Sequence, residues 1–217
     1  MIKAVLFDMD GLFVDSETLA MEVVLKVCEQ LQIPLLPGKE KDMVGVTAKK
    51  FFTELLEDQS TDTTPELALN KFTEIYEEQI RTNLVIFDGA KSLPLELKSK
   101  GLRLALISGS TRDQIEIILT QIGTKELFEE IVSAEDITHS KPSPEGYLLG
   151  ANKLGLSPNE CIVVEDAEAG VAAAKAAGMK VIGVHNTGEQ NLSEADKVVG
   201  TLAELTPEMI MSIIVTD

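Results

Sequence analysis

Short apolar runs alternate with longer stretches of helical period along most of this chain. Lys3–Asp8, Arg103–Ile107, Ile131–Ser133, Cys161–Glu165, Lys180–Val184 and Lys197–Val199 are brief and rich in aliphatic and β-branched residues, as buried strands are. Between them, Ile115, Ile118, Leu119 and Ile122 recur on one helical face behind Ser110-Thr111-Arg112-Asp113, which reads as a capping box. Ser143-Pro144 offers a cap and a first-turn proline to a helix carrying Tyr147, Leu148, Ala151 and Leu154. Ala167–Ala177 is alanine-rich and stops at Gly178, a common residue just past a helix end. Strands alternating with helices predict an α/β fold with a parallel sheet covered on both faces.

One stretch breaks this alternation. From Asp15 to about Phe87 no run reads as a strand. Leu19, Val23, Val24, Val27 and Leu31 form one helical stripe. Thr64-Pro65-Glu66 caps a second helix bearing Ala68, Phe72, Ile75, Tyr76 and Ile80. The expectation is a core made of residues 1–14 and 88–217, with a helical insertion over 15–87. Two chain crossings between such parts make a natural hinge.

Composition narrows the function. The chain has 217 residues, 44% of them hydrophobic, ample for a packed core. Thirty-six acidic against 19 basic residues leave a net charge of −17, which argues against nucleic acid and anionic membrane surfaces as partners. Cys28 and Cys161 sit inside apolar runs and read as buried free thiols. No apolar run approaches the ~20 residues needed to span a bilayer, and no signal peptide is evident at the N-terminus. A soluble, cytoplasmic monomer is the expectation.

The chemistry gathers at the strand ends, where parallel α/β sheets bind ligands. In Ala4-Val5-Leu6-Phe7-Asp8-Met9-Asp10-Gly11, two carboxylates two residues apart point to one side of an extended chain. Such a pair asks for a cation or a proton between its members. Ser108 ends the second run, Lys141-Pro142 follows the third, and Glu165-Asp166 close the fourth. Asp8, Asp10 and Asp166 offer hard oxygens suited to Mg²⁺. Ser108, with the N–H groups of Gly109 and Ser110 near a helix start, offers an anion site, and Gly109 lets backbone approach a ligand. Lys141 supplies the positive charge that an acidic protein needs to hold a phosphate, and Pro142 biases it towards an extended conformation.

In this order the motifs resemble those of the haloacid dehalogenase-like phosphohydrolase superfamily. The matching residues are Asp8-Met9-Asp10-Gly11 with Val14-Asp15-Ser16-Glu17, then Ile107-Ser108-Gly109-Ser110, Lys141-Pro142-Ser143-Pro144-Glu145, and Glu165-Asp166 with Gly170 and Ala176-Ala177-Gly178-Met179. The resemblance covers residues 2 to about 185. It implies a Rossmann-like core with an α-helical cap inserted after the first motif. It also implies an Mg²⁺-dependent phosphatase acting on small phosphorylated metabolites, plausibly sugar phosphates. Asp8 would be the nucleophile that becomes an aspartyl-phosphate, and Asp10 the acid and base. Ser108, Gly109 and Lys141 would hold the phosphate. The metal would take Asp8, the Asp10 carbonyl and Asp166, with Glu165 acting through water. The cap would close over the site. Gly109 stands where relatives often have Ser, Asn or Ala, and Ala167 where Ser is usual.

The resemblance extends to phosphomutases of the β-phosphoglucomutase type, which carry a cap His and a cap Arg. The corresponding positions here are Ala20 and Ala48, which favours transfer to water. Asp10 argues against dehalogenases and phosphonatases, which lack a second aspartate.

Plainer readings stand beside these. Asp8 and Asp10 could close a turn, Ser108 could only help a cap, and Glu165-Asp166 could complement a helix dipole. Lys39, Lys41, Lys49 and Lys50 could meet a second anionic group, but a solvated face is the better account. Glu17 could touch substrate hydroxyls or simply start a helix. Gly45 could sit in a loop near the site or in an ordinary turn. His139 and His185 fall in no motif.

Overall fold

The computed structural model describes residues 1–43, 46–57, 62–186 and 190–213; Gly45 lies outside the described residues. Strand β1 (Ala4–Phe7) leads into helices α1 (Ser16–Gln30), α2 (Ala48–Glu57) and α3 (Pro65–Thr82). The chain continues through α4 (Ser92–Ser99), β2 (Arg103–Ile107), α5 (Arg112–Ile122), β3 (Glu130–Val132), α6 (Glu145–Lys153) and β4 (Cys161–Glu165). It ends with α7 (Glu168–Ala176), β5 (Lys180–Val184), β6 (Lys197–Val199) and α8 (Pro207–Met211). The described chain forms two compact units. One comprises Met1–Asp15 with Ile86–Asp217, the other Ser16–Val85.

In the first unit, the strands of the described residues form one parallel sheet in the order β3-β2-β1-β4-β5-β6. The expected α/β fold is borne out. Every residue of β1 is buried because both sheet faces are covered. Ala4 and Leu6 join Ala105, Ile107, Val163 and Val181 in a cluster with Tyr147 and Ala151 of α6 and Val171 and Ala174 of α7. Phe7, which alternation turns to the opposite face, has its ring 5.2 Å from Phe13 and 6.3 Å from Phe128. Burial on two faces is why these strands read as continuous apolar runs.

The chain builds outward from β1 on both sides, so the strand order reverses between β1 and β4. At such a switch point the crossover helices diverge and leave a crevice at the carboxyl ends. Phe7 pairs there with Leu106 and Val164, which puts Asp8 level with Ile107, one residue short of Ser108, and with Glu165.

Two helix starts differ from expectation. The α5 cap is Thr111 and not Ser110: Gln114 N–H donates to Thr111 Oγ1 at 3.4 Å, and Thr111 N–H donates to Gln114 Oε1 at 3.1 Å. The reciprocal partner three residues on decides the cap. Pro144 occupies the cap position of α6, one residue before the expected first turn, and Glu145 N–H reaches Ser143 Oγ at 3.3 Å.

The second unit is helical. Leu19, Val23, Val24 and Val27 of α1 are buried, as are Ala68, Phe72, Ile75, Tyr76 and Ile80 of α3. Thr64 caps α3, accepting from Leu67 N–H at 3.2 Å. Helix α2 was not anticipated; it buries Phe51, Phe52 and Leu56. The Phe52 ring lies 6.0 Å from Phe72, which stacks on Tyr76 at 5.4 Å.

Candidate active site

Asp8 follows directly on β1 and is 6% exposed. Its N–H donates to the Val164 carbonyl at 3.1 Å, which carries the ladder one residue past the strand. Beyond it the chain turns sharply. Gly11 N–H donates to Val14 O at 2.9 Å and Phe13 N–H to Met9 O at 2.8 Å. Gly11 has φ +77°, and a Cβ there would stand 2.1 Å from Asp166 Oδ2. Only glycine fits, through conformation and space alike. Asn186 braces the turn: its Nδ2 donates to Leu12 O at 2.7 Å and Gly11 O at 3.2 Å, while its Oδ1 accepts from Leu202 N–H at 3.0 Å.

The turn sends Asp10 towards the end of β2. Ser108 Oγ and Ser110 Oγ donate to Asp10 Oδ2 at 2.7 and 2.9 Å. Ser110 N–H in turn donates to Ser108 Oγ at 2.9 Å. The anion site at the start of α5 is therefore narrower than the sequence suggests. Arg112 N–H already donates to the Glu135 carboxylate at 3.1 and 3.2 Å, so the protein's own acid occupies that dipole. Gly109 is exposed, and a Cβ on it would meet nothing within 4 Å.

Lys141 lies just past Ser140, and its bond to Pro142 is cis. The ammonium bonds to Asp8 Oδ1, pairs with Glu165 Oε1 at 2.5 Å and reaches the Ile107 carbonyl at 3.5 Å. It also sits 5.1 Å from the centre of the Tyr147 ring, a cation–π distance. Tyr147 OH donates to Glu165 Oε1 at 2.8 Å. The N–H groups of Asp166 and Ala167 donate to Glu165 Oε2 at 2.9 and 3.0 Å.

Two acids therefore share one half-buried base, and the deficit shows in the proton affinities of Asp8 and Lys141. Burial pushes the Asp8 carboxyl up to about 8, reinforced by Glu165 and Asp10 and opposed by Lys141. Burial alone would drive Lys141 down, but the Asp8 and Glu165 charges outweigh it and hold the ammonium well above its ordinary range. The cluster is short of positive charge. Ligand oxygens of Asp8, Glu165 and Asp166 lie within 4.8 Å of one another. This hard-oxygen set, with negative charge in excess, fits a divalent cation such as Mg²⁺.

The structure thus brings Asp8, Asp10, Ser108, Lys141, Glu165 and Asp166 together at the carboxyl ends of the central strands. His139 stands apart, exposed and 3.0 Å from Glu145. His185 is exposed, its N–H donating to Val199 O. Lys39, Lys41, Lys49 and Lys50 are exposed on the helical unit, where Glu17 lies in the first turn of α1. Sequence reasoning missed Tyr147, Asn186 and the Ser110 hydroxyl. A tyrosine on a buried stripe was a signal, since its hydroxyl must find a partner. Asn186 gave none.

Residues 5–184 match the family model for haloacid dehalogenase-like hydrolases. A Bacillus subtilis protein described as putative phosphatase YhcW is 34% identical over 219 residues, covering 97% of each chain. Hexitol phosphatase B of Escherichia coli is 30% identical, again over 97% of each. The Arabidopsis thaliana chloroplastic protein SUPPRESSOR OF QUENCHING 1 is 34% identical over 96% of this chain, which spans 19% of that longer protein. A crystal structure of a putative β-phosphoglucomutase from Thermotoga maritima superposes with a TM-score of 0.82 at 27% identity, covering 98% of this chain and 100% of that one. Among the described residues, no helix is long and apolar enough to cross a membrane.

Proposed function

Since the chain belongs to the haloacid dehalogenase-like hydrolase family and is a phosphoric monoester hydrolase, we propose that it is an Mg²⁺-dependent phosphatase of small sugar phosphates working through an aspartyl-phosphate. The observation that carries this reading is the half-buried Lys141 ammonium bonded to both Asp8 and Glu165, beside a carboxylate cluster short of positive charge. The hexitol phosphatase likeness supports a polyol or sugar phosphate as the substrate class.

Asp8, Asp166 and the Asp10 carbonyl would hold the cation. When bound, Mg²⁺ supplies the missing positive charge, which favours the ionised Asp8 and screens the incoming phosphate. One Asp8 oxygen attacks phosphorus as the bond to the leaving oxygen breaks, and Asp10 gives that oxygen its proton. Asp10 then takes a proton from water as water attacks the aspartyl-phosphate, freeing phosphate and restoring Asp8. Lys141, the Gly109 N–H and, once its hydroxyl turns from Asp10, Ser108 meet the non-bridging oxygens, where the transition state spreads its charge. Ser110 keeps hold of Asp10 by one oxygen, leaving the other for proton traffic. Residues 15–87 form the helical cap unit that the family resemblance implies. The buried thiols Cys28 and Cys161 suit a reducing, cytoplasmic setting, and the chain acts as a monomer.

The test is phosphate release from an aryl phosphate. Asp8→Asn is expected to lose at least roughly 10³-fold in kcat, and excess chelator to abolish release until Mg²⁺ is restored. Full activity in either case sinks the mechanism. A hexose 1-phosphate extends the test. The alanines at positions 20 and 48 favour free phosphate over the 6-phosphate, and dominant isomerisation would instead mark a mutase.

A further inference from the structure

Glu165 belongs to the carboxylate cluster, yet its oxygens are already engaged. Oε1 accepts from Lys141 Nζ at 2.5 Å and Tyr147 OH at 2.8 Å. Oε2 accepts from the N–H groups of Asp166 and Ala167 at 2.9 and 3.0 Å. A carboxylate has about four lone-pair sites, and these four donors use them. The side chain is also walled in: it is buried, and a Cβ on Gly170 would fall 1.7 Å from Oε1. Bare backbone of α7 therefore closes the niche, and the carboxylate has no room to swing.

Tyr147 is the one member of this arrangement whose removal is chemically small. Its ring is fully buried in the sheet-face cluster, under the Lys141 ammonium. Its hydroxyl shares Glu165 Oε1 with that same ammonium. Without the hydroxyl, Oε1 regains a lone pair inside a niche too tight for Glu165 to swing, and the Lys141 ammonium, which bonds to the same oxygen, can draw closer to it and shift from Asp8.

We propose that Tyr147 is a positioning residue: its hydroxyl commits Glu165 to anchoring the Lys141 ammonium, while the backbone N–H groups and the closed niche already keep that carboxylate out of the cation's inner ligand set. Its catalytic consequence rests on the phosphatase reading, whereas its consequence for cation binding does not. The hydroxyl acts on the lysine's aim and on the transition-state charge that the lysine meets. It does not act on the affinity for metal or substrate.

The decisive experiment compares wild type, Tyr147→Phe and Asp166→Asn of the full chain. Mn²⁺ is titrated without substrate, the free ion being followed by electron paramagnetic resonance. Tyr147→Phe is expected to keep its affinity within about threefold, while Asp166→Asn loses at least about tenfold. The ¹H–¹⁵N signal of the Lys141 ammonium is expected to shift in Tyr147→Phe. With Mg²⁺ and an aryl phosphate, kcat should fall about tenfold with KM within about twofold. A tenfold loss of Mn²⁺ affinity in Tyr147→Phe would make Glu165 a ligand and overturn the proposal. An unmoved Lys141 signal, or an unchanged kcat in an active enzyme, would overturn it too. Should the variant not fold, the wild-type Tyr147 hydroxyl proton decides: it must persist unshifted through saturation with Mg²⁺, and its loss refutes the commitment of Glu165. If wild type releases no phosphate, the phosphatase reading fails, yet the Mn²⁺ titration and the lysine signal still judge Tyr147.

Discussion

The two ends of the central sheet handle charge in opposite ways. At the amino ends, Lys3 pairs with Glu160 at 2.5 Å, and Glu129 is shared by Arg103 at 2.7 Å and Lys98 at 2.9 Å. These groups pair opposite charges and are partly exposed, so solvent screens whatever the pairing leaves over. At the carboxyl ends, four carboxylates (Asp8, Asp10, Glu165 and Asp166) stand with a single base, Lys141, which pairs with Asp8 and Glu165, and those two acids are buried. An arrangement chosen for stability alone would not bury that imbalance. One end settles its charges internally, and the other keeps a standing demand for a cation and an electrophile.

Three changes probe this contrast. The largest effect is expected from Gly170→Ala, whose methyl would collide with Glu165 Oε1. It should cost about 1–3 kcal/mol in urea unfolding and more than about tenfold in kcat. Normal values for both would mean that the carboxyl end is not rigid. A smaller effect is expected at the opposite end. Hydrogen bonds from Lys3 and Ser157 hold the Glu160 carboxyl down to about 2. A carboxyl with a lowered value stabilises the fold above its ordinary range and loses that contribution as pH falls towards 2. Glu160→Gln should therefore flatten the fall in Tm between pH 5 and pH 2 while leaving kcat untouched; a changed kcat would couple the two ends. The smallest effect is expected from Lys49→Ala with Lys50→Ala on α2, where both side chains are exposed and Lys50 stands only 3.8 Å from Glu54. Stability should stay within about 0.5 kcal/mol and KM within about twofold. A large rise in KM would give these lysines the substrate-binding role that their exposure argues against.

The contrast also explains what could be read from residue order. The site residues stand immediately after apolar strand runs, so a strand and its terminal chemistry are adjacent in the sequence. Asp8, Ser108 and Glu165-Asp166 are legible for that reason, and the parallel sheet follows from the same runs. Helix α2 is not. Phe51, Phe52 and Leu56 are too few to set a period beside Lys49, Lys50, Thr53 and Glu54, and the cap, Thr47, which accepts from Lys50 N–H at 3.2 Å, is a lone threonine with no proline or reciprocal glutamate behind it to announce a start. The Tyr147–Glu165 bond joins residues 18 apart and depends on how α6 packs on the sheet, which no local pattern encodes. Glu135 on the Arg112 N–H spans 23 positions and hides in the same way. Asn186 reaches back 174 residues to Leu12.

The entry and exit of the 16–85 segment are laced together. Val14 bridges Ile86 in antiparallel fashion, and Phe87 N–H donates to Phe13 O at 2.9 Å. Seen from the sheet, seventy residues leave and return through the mouth of a hairpin. The sheet can therefore be spliced there: a tight turn or a foreign helical module could replace the block while Phe13, Val14, Ile86 and Phe87 stay in place. Such a joint lets a lineage exchange what it selects without rewriting how it reacts.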